Sequence, residues 1–102
     1  PDGFYNGCSA DDIADAVARW RPQPLAPLLA EVSLSDRRFG SVPRAYISCE
    51  HDHVIPFAAQ QHMCRLTPCE VNLVLDAGHS PFLSHPVELA RLLDGLVNNR
   101  GD

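Results

Sequence analysis

Two short apolar runs, residues 42–49 and 71–75, stand about 20 residues apart, with a helix-like pattern between them. That spacing constrains the fold more than any other feature of the chain. A hairpin turn takes about 2–5 residues. An interval this long that holds a helix predicts a parallel crossover. The first strand is entered through Pro43 and centres on Ala45, Tyr46 and Ile47. Pro56 suits the first turn of a helix, predicted to run to Leu66 and to stop before Thr67-Pro68. Pro86 begins a last helix to about Val97, with Leu89, Leu92, Leu93 and Leu96 on its inner side. The order is strand, helix, strand, helix. Parallel strands need cover on both faces, and two strands alone do not make a stable sheet. The sequence therefore implies more strands than it contains.

The first forty residues read differently. Ser9 is placed to cap a helix from Ala10 to Trp20, with Ile13, Ala16, Val17 and Trp20 on one apolar face. Pro22, Pro24 and Pro27 break that pattern. Leu25, Leu28 and Leu29 suit one helical turn, and Ser35 to Gly40 a capped turn.

Charge narrows the partners. The net charge is −5, with 8 basic residues, all Arg, against 13 acidic ones. No basic stripe is present, so nucleic acid is not an expected partner. No apolar run approaches the ~20 residues of a membrane span, and Pro1-Asp2-Gly3-Phe4 does not open a signal peptide. Cys8, Cys49, Cys64 and Cys69 have neither metal-site nor disulfide-framework spacing, which suggests reduced thiols in a cytoplasmic protein. A zinc reading from Cys49, His51, His53, His62, Cys64 and Cys69 competes weakly, because His62 and Cys64 diverge on a helix. No metal or other cofactor is expected.

In a parallel α/β sheet, functional groups lie beyond the carboxyl ends of the strands. Two loops occupy that edge here: Glu50-His51-Asp52-His53 and Asp76-Ala77-Gly78-His79-Ser80-Pro81. Neighbouring strands lie about 4.8 Å apart, so a carboxylate from the first loop reaches an imidazole from the second. Such a pair is the acid–histidine half of a catalytic triad, in which the acid fixes the tautomer and stabilises the imidazolium. Asp52 and His79 are the candidates. Asp76 is too near His79 in sequence for a cross-strand pair, and Glu50 lies nearer the strand end. Gly78 is expected to let the backbone turn sharply and aim the ring inward.

The stretches Val42 to Pro56 and Asp76 to Pro86 together resemble the C-terminal third of the α/β-hydrolase family, and in particular its plant methylesterase and hydroxynitrile-lyase-like branch with bacterial esterase relatives. In that branch a Glu-x-Asp type turn followed by Ile-Pro carries the triad acid, and a Gly/Asp-His loop before the last helix carries the histidine. The resemblance places these on Asp52 and His79. The chain from Phe4 to Gly40 is similar to the end of the family's cap, which implies residues 1–40 as the end of a lid region and residues 41–102 as the C-terminal part of the core.

The family's nucleophile sits in a Gly-x-Ser-x-Gly elbow. No such pentapeptide occurs here, since Gly7-Cys8-Ser9-Ala10-Asp11 has one glycine and no preceding strand. The elbow and the oxyanion loop are expected upstream, in a missing N-terminal hydrolase segment that would be this chain's partner. The resemblance implies carboxylic ester hydrolysis through an acyl-serine intermediate, with a small-molecule ester as substrate. Phe82, Leu83, Phe4 and Tyr5 are the candidate pocket residues. Hydroxynitrile lyases of this type place a Lys directly after the histidine, where this chain has Ser80. A non-catalytic remnant that binds a small ligand or partner is the alternative.

Overall fold

The computed structural model describes residues 2–98, so Pro1 and residues 99–102, the outer ends of the two expected segments, lie outside the described part. Strands β1 (Ala45–Cys49) and β2 (Val71–Leu75) pair in parallel, from Ala45 opposite Val71 to Cys49 opposite Leu75. Helix α1 (Ala10–Ala18) and the short turn of helix α2 (Ala26–Leu29) precede them. Helix α3 (Phe57–Leu66) makes the crossover, and α4 (Pro81–Ser84) and α5 (Pro86–Asn98) follow β2. The fold is thus the expected α/β fragment: a parallel strand pair with its helices.

Local chemistry sets these boundaries. Ser9 Oγ accepts the Asp12 N–H at 3.1 Å, the cap expected for α1. The helix ends two residues before Trp20, because the Arg19 and Trp20 N–H groups turn back to Ala16 and Val17 carbonyls. β1 starts at Ala45, three residues later than the apolar run. Pro43 has no N–H for a ladder, and the first cross-connection is Glu70 N–H to Arg44 C=O at 2.9 Å. The Arg44 guanidinium stacks 4.3 Å above Phe39 and donates to Phe39 and Pro68 carbonyls, which ties the entry of β1 to the entry of β2.

The buried residues cluster at the carboxyl end of the strands. They are Cys49, Leu75, Ala77 and Gly78 with the polar Ser48, Gln60 and Ser80. Elsewhere apolar groups stay open. Leu25, Leu28 and Leu29 are each more than 60% exposed, so the helical turn they form stays largely open. Leu93 is also exposed, unlike Leu89, Leu92 and Leu96. A cleft of about 840 Å³ lies between the strands and α5, lined by Ala45, Val71, Leu73, Leu92 and Leu96. No helix among the described residues is long and apolar enough to cross a membrane.

Candidate active site

The parallel ladder does not stop where the strands end. Glu50 N–H donates to Leu75 C=O and His51 N–H to Ala77 C=O, both at 3.0 Å. The two loops therefore leave the same edge side by side, as the parallel register requires. Asp52 then closes a tight turn of its own. Its Oδ1 accepts the N–H groups of Val54 at 2.8 Å and Ile55 at 2.9 Å, an Asx turn that aims the carboxylate across to the second loop.

His79 meets it there. Nδ1 lies 2.9 Å from Oδ2 and 3.0 Å from Oδ1 of Asp52. The Asp52 side chain is 7% exposed and the His79 side chain 28%. Burial pushes the Asp52 carboxyl up, but hydrogen bonds from Ile55, His79 and Val54 outweigh it, and the net effect lowers its pKa. An ionised carboxylate only accepts, so Nδ1 carries the proton and donates. Nε2, on the far side of the ring, is then the nitrogen left to accept. This tautomer is the one a triad histidine needs to take a proton from a nucleophile.

The rival acids are engaged elsewhere. His51 Nε2 pairs with Asp76 and lies 3.8 Å from Glu50, and all three side chains are largely exposed. The six Cys and His residues weighed as zinc ligands are not brought together. Cys49 is buried at the end of β1, while His51 and His53 sit exposed in a turn and not along one extended face. Among the described residues the one group with three ligand atoms in mutual reach is Glu50, His51 and Asp76, and the contact of His51 with the two carboxylates accounts for it.

The N-terminal segment closes over both loops. The Phe4 ring stands edge-on to His79, with centroids 5.6 Å apart and planes at 69°. Phe4 C=O accepts the Ser80 hydroxyl at 2.6 Å, and Asn6 Nδ2 donates to His51 C=O at 2.7 Å. Tyr5 turns instead toward Trp20, whose Nε1–H donates to its hydroxyl at 3.0 Å. Phe82 and Leu83 follow His79 on α4, Phe82 exposed and Leu83 half-buried. Phe4 thus touches His79, and Phe82 and Leu83 lie one short turn beyond it.

Gly78 is required for a reason other than the expected sharp turn. Among the described residues only Gly7 has a positive φ, at 85°. A Cβ on Gly78 would instead lie 2.7 Å from Asn6 Nδ2 and 2.8 Å from its Cγ, and closer still to its carbonyl oxygen. The glycine permits close approach of the N-terminal segment.

Sequence reasoning passed over Gln60. It is 2% exposed, and its amide holds both ends of the Asp52 loop. The available signal was a glutamine four residues beyond Pro56, in the crossover helix beside the acid loop.

Comparison with known proteins identifies the family. Residues 1–92 match the model of the "Alpha/beta hydrolase family". A chloroplastic protein of Arabidopsis thaliana named as a candidate methylesterase 11 is 40% identical over 93 residues, which cover 90% of this chain and 24% of that protein. Methyl jasmonate esterase 1 of Vitis vinifera is 29% identical over 100 residues, covering 94% of this chain and 38% of its own length. The crystal structure of polyneuridine aldehyde esterase superposes with a TM-score of 0.84 at 28% identity, covering 92% of this chain and 38% of that one. The chain spans well under half the length of each of these relatives, yet nearly all of it lies within the match, and it belongs to the alpha/beta hydrolase family.

Proposed function

We propose that this chain supplies the acid and the base of an ester hydrolase, Asp52 and His79, to a serine carried on an upstream segment. The observation that supports it is the part-buried Asp52–His79 pair, with Nδ1 on the carboxylate at 2.9 Å. In this reading His79 Nε2 takes the proton of the serine hydroxyl as that oxygen attacks the ester carbonyl. The same nitrogen returns the proton to the departing alcohol, and then activates water against the acyl-enzyme. Asp52 keeps Nδ1 protonated and stabilises the imidazolium. Phe4, edge-on to the ring, with Phe82 and Leu83 supplies the apolar walls in this reading, while Tyr5 packs on Trp20 instead. Residues 1–40 form the end of the cap and residues 41–102 the end of the core.

Two further observations fit this reading. The Ser80 hydroxyl is buried and bonded to Phe4 C=O, so the position after His79 brings no cation to the site. That favours ester hydrolysis over cyanohydrin cleavage. The open apolar surface on Val74, Leu25, Leu28 and Leu29 suits a chain whose remaining core strands and helices cover it. A small methyl ester is the substrate class that the named relatives suggest.

The test is hydrolysis of a nitrophenyl ester, first by the chain alone and then by a reconstituted hydrolase. In the latter the chain is joined behind an upstream α/β-hydrolase segment that carries the Gly-x-Ser-x-Gly elbow and the oxyanion loop. Turnover is expected only from the reconstituted protein, and His79→Ala is expected to abolish it. Turnover by the chain alone would overturn the assignment. Ligand binding without turnover in the reconstituted protein would establish the non-catalytic alternative.

A further inference from the structure

The end of β1 carries an arrangement that the triad reading does not use. In a parallel pair, peptide groups alternate between the two edges of a strand. Glu50 N–H points to β2, so the Cys49 peptide groups point to the opposite edge. Gln60 meets them there from α3. Its Oε1 accepts Cys49 N–H at 2.9 Å, and its Nε2 donates to Cys49 C=O at 2.9 Å. The second Nε2 proton goes to Ile55 C=O at 2.8 Å. One buried amide therefore takes the place of a neighbouring strand at Cys49 and fastens the far end of the loop at Ile55. Both of its donors and one of the two lone pairs on its oxygen are used.

The consequence runs through the Ile55 peptides. Ile55 C=O is fixed by Gln60, and Ile55 N–H donates to Asp52 Oδ1 at 2.9 Å. Resting on the reading of Asp52 as the triad acid, we infer that Gln60 is a positioning residue for that acid: its amide pins both ends of the 49–55 loop and so aims the backbone donors that hold the carboxylate against His79. Gln60 touches neither the reacting atoms nor the imidazole, and acts only through Asp52. The lowered pKa of Asp52, which Ile55 and Val54 help to produce against burial, agrees with a carboxylate held by oriented donors.

Gln61 provides the control. It is the next residue on the same helix, and its Nε2 donates to Ser48 Oγ at 3.2 Å. It therefore joins α3 to β1 without touching the acid loop. The experiment is a titration of the Asp52 side-chain carboxyl by carbon NMR in the reconstituted hydrolase, with amide hydrogen exchange at Val54 and Ile55. It is run for the parent, Gln60→Met and Gln61→Met. Gln60→Met is expected to raise the Asp52 pKa toward the ordinary carboxylate value and to speed exchange at both amides. Gln61→Met is expected to leave both as they were. In the reconstituted hydrolase, Gln60→Met should lower kcat by about 10- to 100-fold with KM unchanged, the size of effect that a displaced catalytic group produces. If Gln60→Met does not fold, Gln60→Asn stays neutral and polar but is one methylene too short to reach both Cys49 and Ile55, and is read the same way. Asp52 titrating identically in the parent and the Gln60 variant, or shifting equally in the Gln61 variant, would overturn the inference. Asp52→Asn separates the two readings. Full activity there removes the acid assignment itself, whereas its loss beside an unaffected Gln60→Met removes only the role of Gln60.

Discussion

Replacing Gly78 by alanine tests how the N-terminal segment and the histidine loop fit together. The new Cβ would meet Asn6 Nδ2 at 2.7 Å, where ordinary contact begins at 3.4 Å. The side chain must therefore give by about 0.7 Å, and the Asn6 carbonyl, which is closer, by more. Rotating the Asn6 amide away breaks its bond to His51 C=O but leaves the backbone contact in place. Overpacking of this kind costs about 1–3 kcal/mol. Relief comes either by lifting the 4–8 segment or by pushing the loop that carries His79. A displacement approaching 1 Å at a reacting group lowers the rate by up to about 100-fold. The assay is kcat and urea stability of Gly78→Ala in the reconstituted hydrolase, alone and combined with Asn6→Ala. Because the nearest atom belongs to the backbone, Asn6→Ala is expected to restore only part of the loss. Wild-type rate and stability in Gly78→Ala, or full rescue by Asn6→Ala, would refute the argument from close approach.

Other outcomes follow from the same structure. Asp52→Asn in the reconstituted hydrolase should lower kcat by about 10⁴-fold through loss of the correct imidazole tautomer, read as kcat at constant KM. The depressed Asp52 pKa makes a contribution to stability that is fully present above the ordinary value of 3.8 and is lost as pH falls below it, through the folded-state pKa. Urea midpoints measured below about pH 4 should therefore decline less steeply in Asp52→Asn than in the parent. Ser9→Ala should cost about 1 kcal/mol by removing the cap of α1, visible in chemical denaturation followed by circular dichroism. Cys49 is buried, and burial with the nearby Asp52 charge raises its thiol pKa, so iodoacetamide at neutral pH should reach it last of the four cysteines, as judged by peptide mass mapping.

The sequence made the acid–histidine pair legible because its determinants are local. Apolar runs mark the strands, the crossover length makes them parallel, and parallel strands send both loops to one edge. Asp52 and His79 meet for those reasons. The supports of the pair were less visible. Gln60 looks like an ordinary polar residue on a crossover helix until the buried edge of β1 is seen beside it. Gly78 was legible as a necessary glycine but for the wrong cause, since a steric approach from 72 residues away leaves no local mark. The short helix α4 was hidden because Pro81 and Pro86 both signal a helix start five residues apart. The open position of Leu93 and of Leu25, Leu28 and Leu29 shows the limit of periodicity. It finds an apolar face without saying what the face meets.

The ladder bonds that run past the strands into the two loops also set where this region tolerates change in length. Glu50 and His51 are tied by their backbones to Leu75 and Ala77. An inserted residue between Cys49 and Asp52, or between Leu75 and His79, therefore carries the acid or the base out of step with its partner. An insertion between Leu66 and Pro68, ahead of the Arg44 contacts with Pro68 and Glu70, leaves that register untouched. Across related proteins, length variation should accumulate at the end of the crossover helix and be excluded from the two loops, even where the residues within them differ.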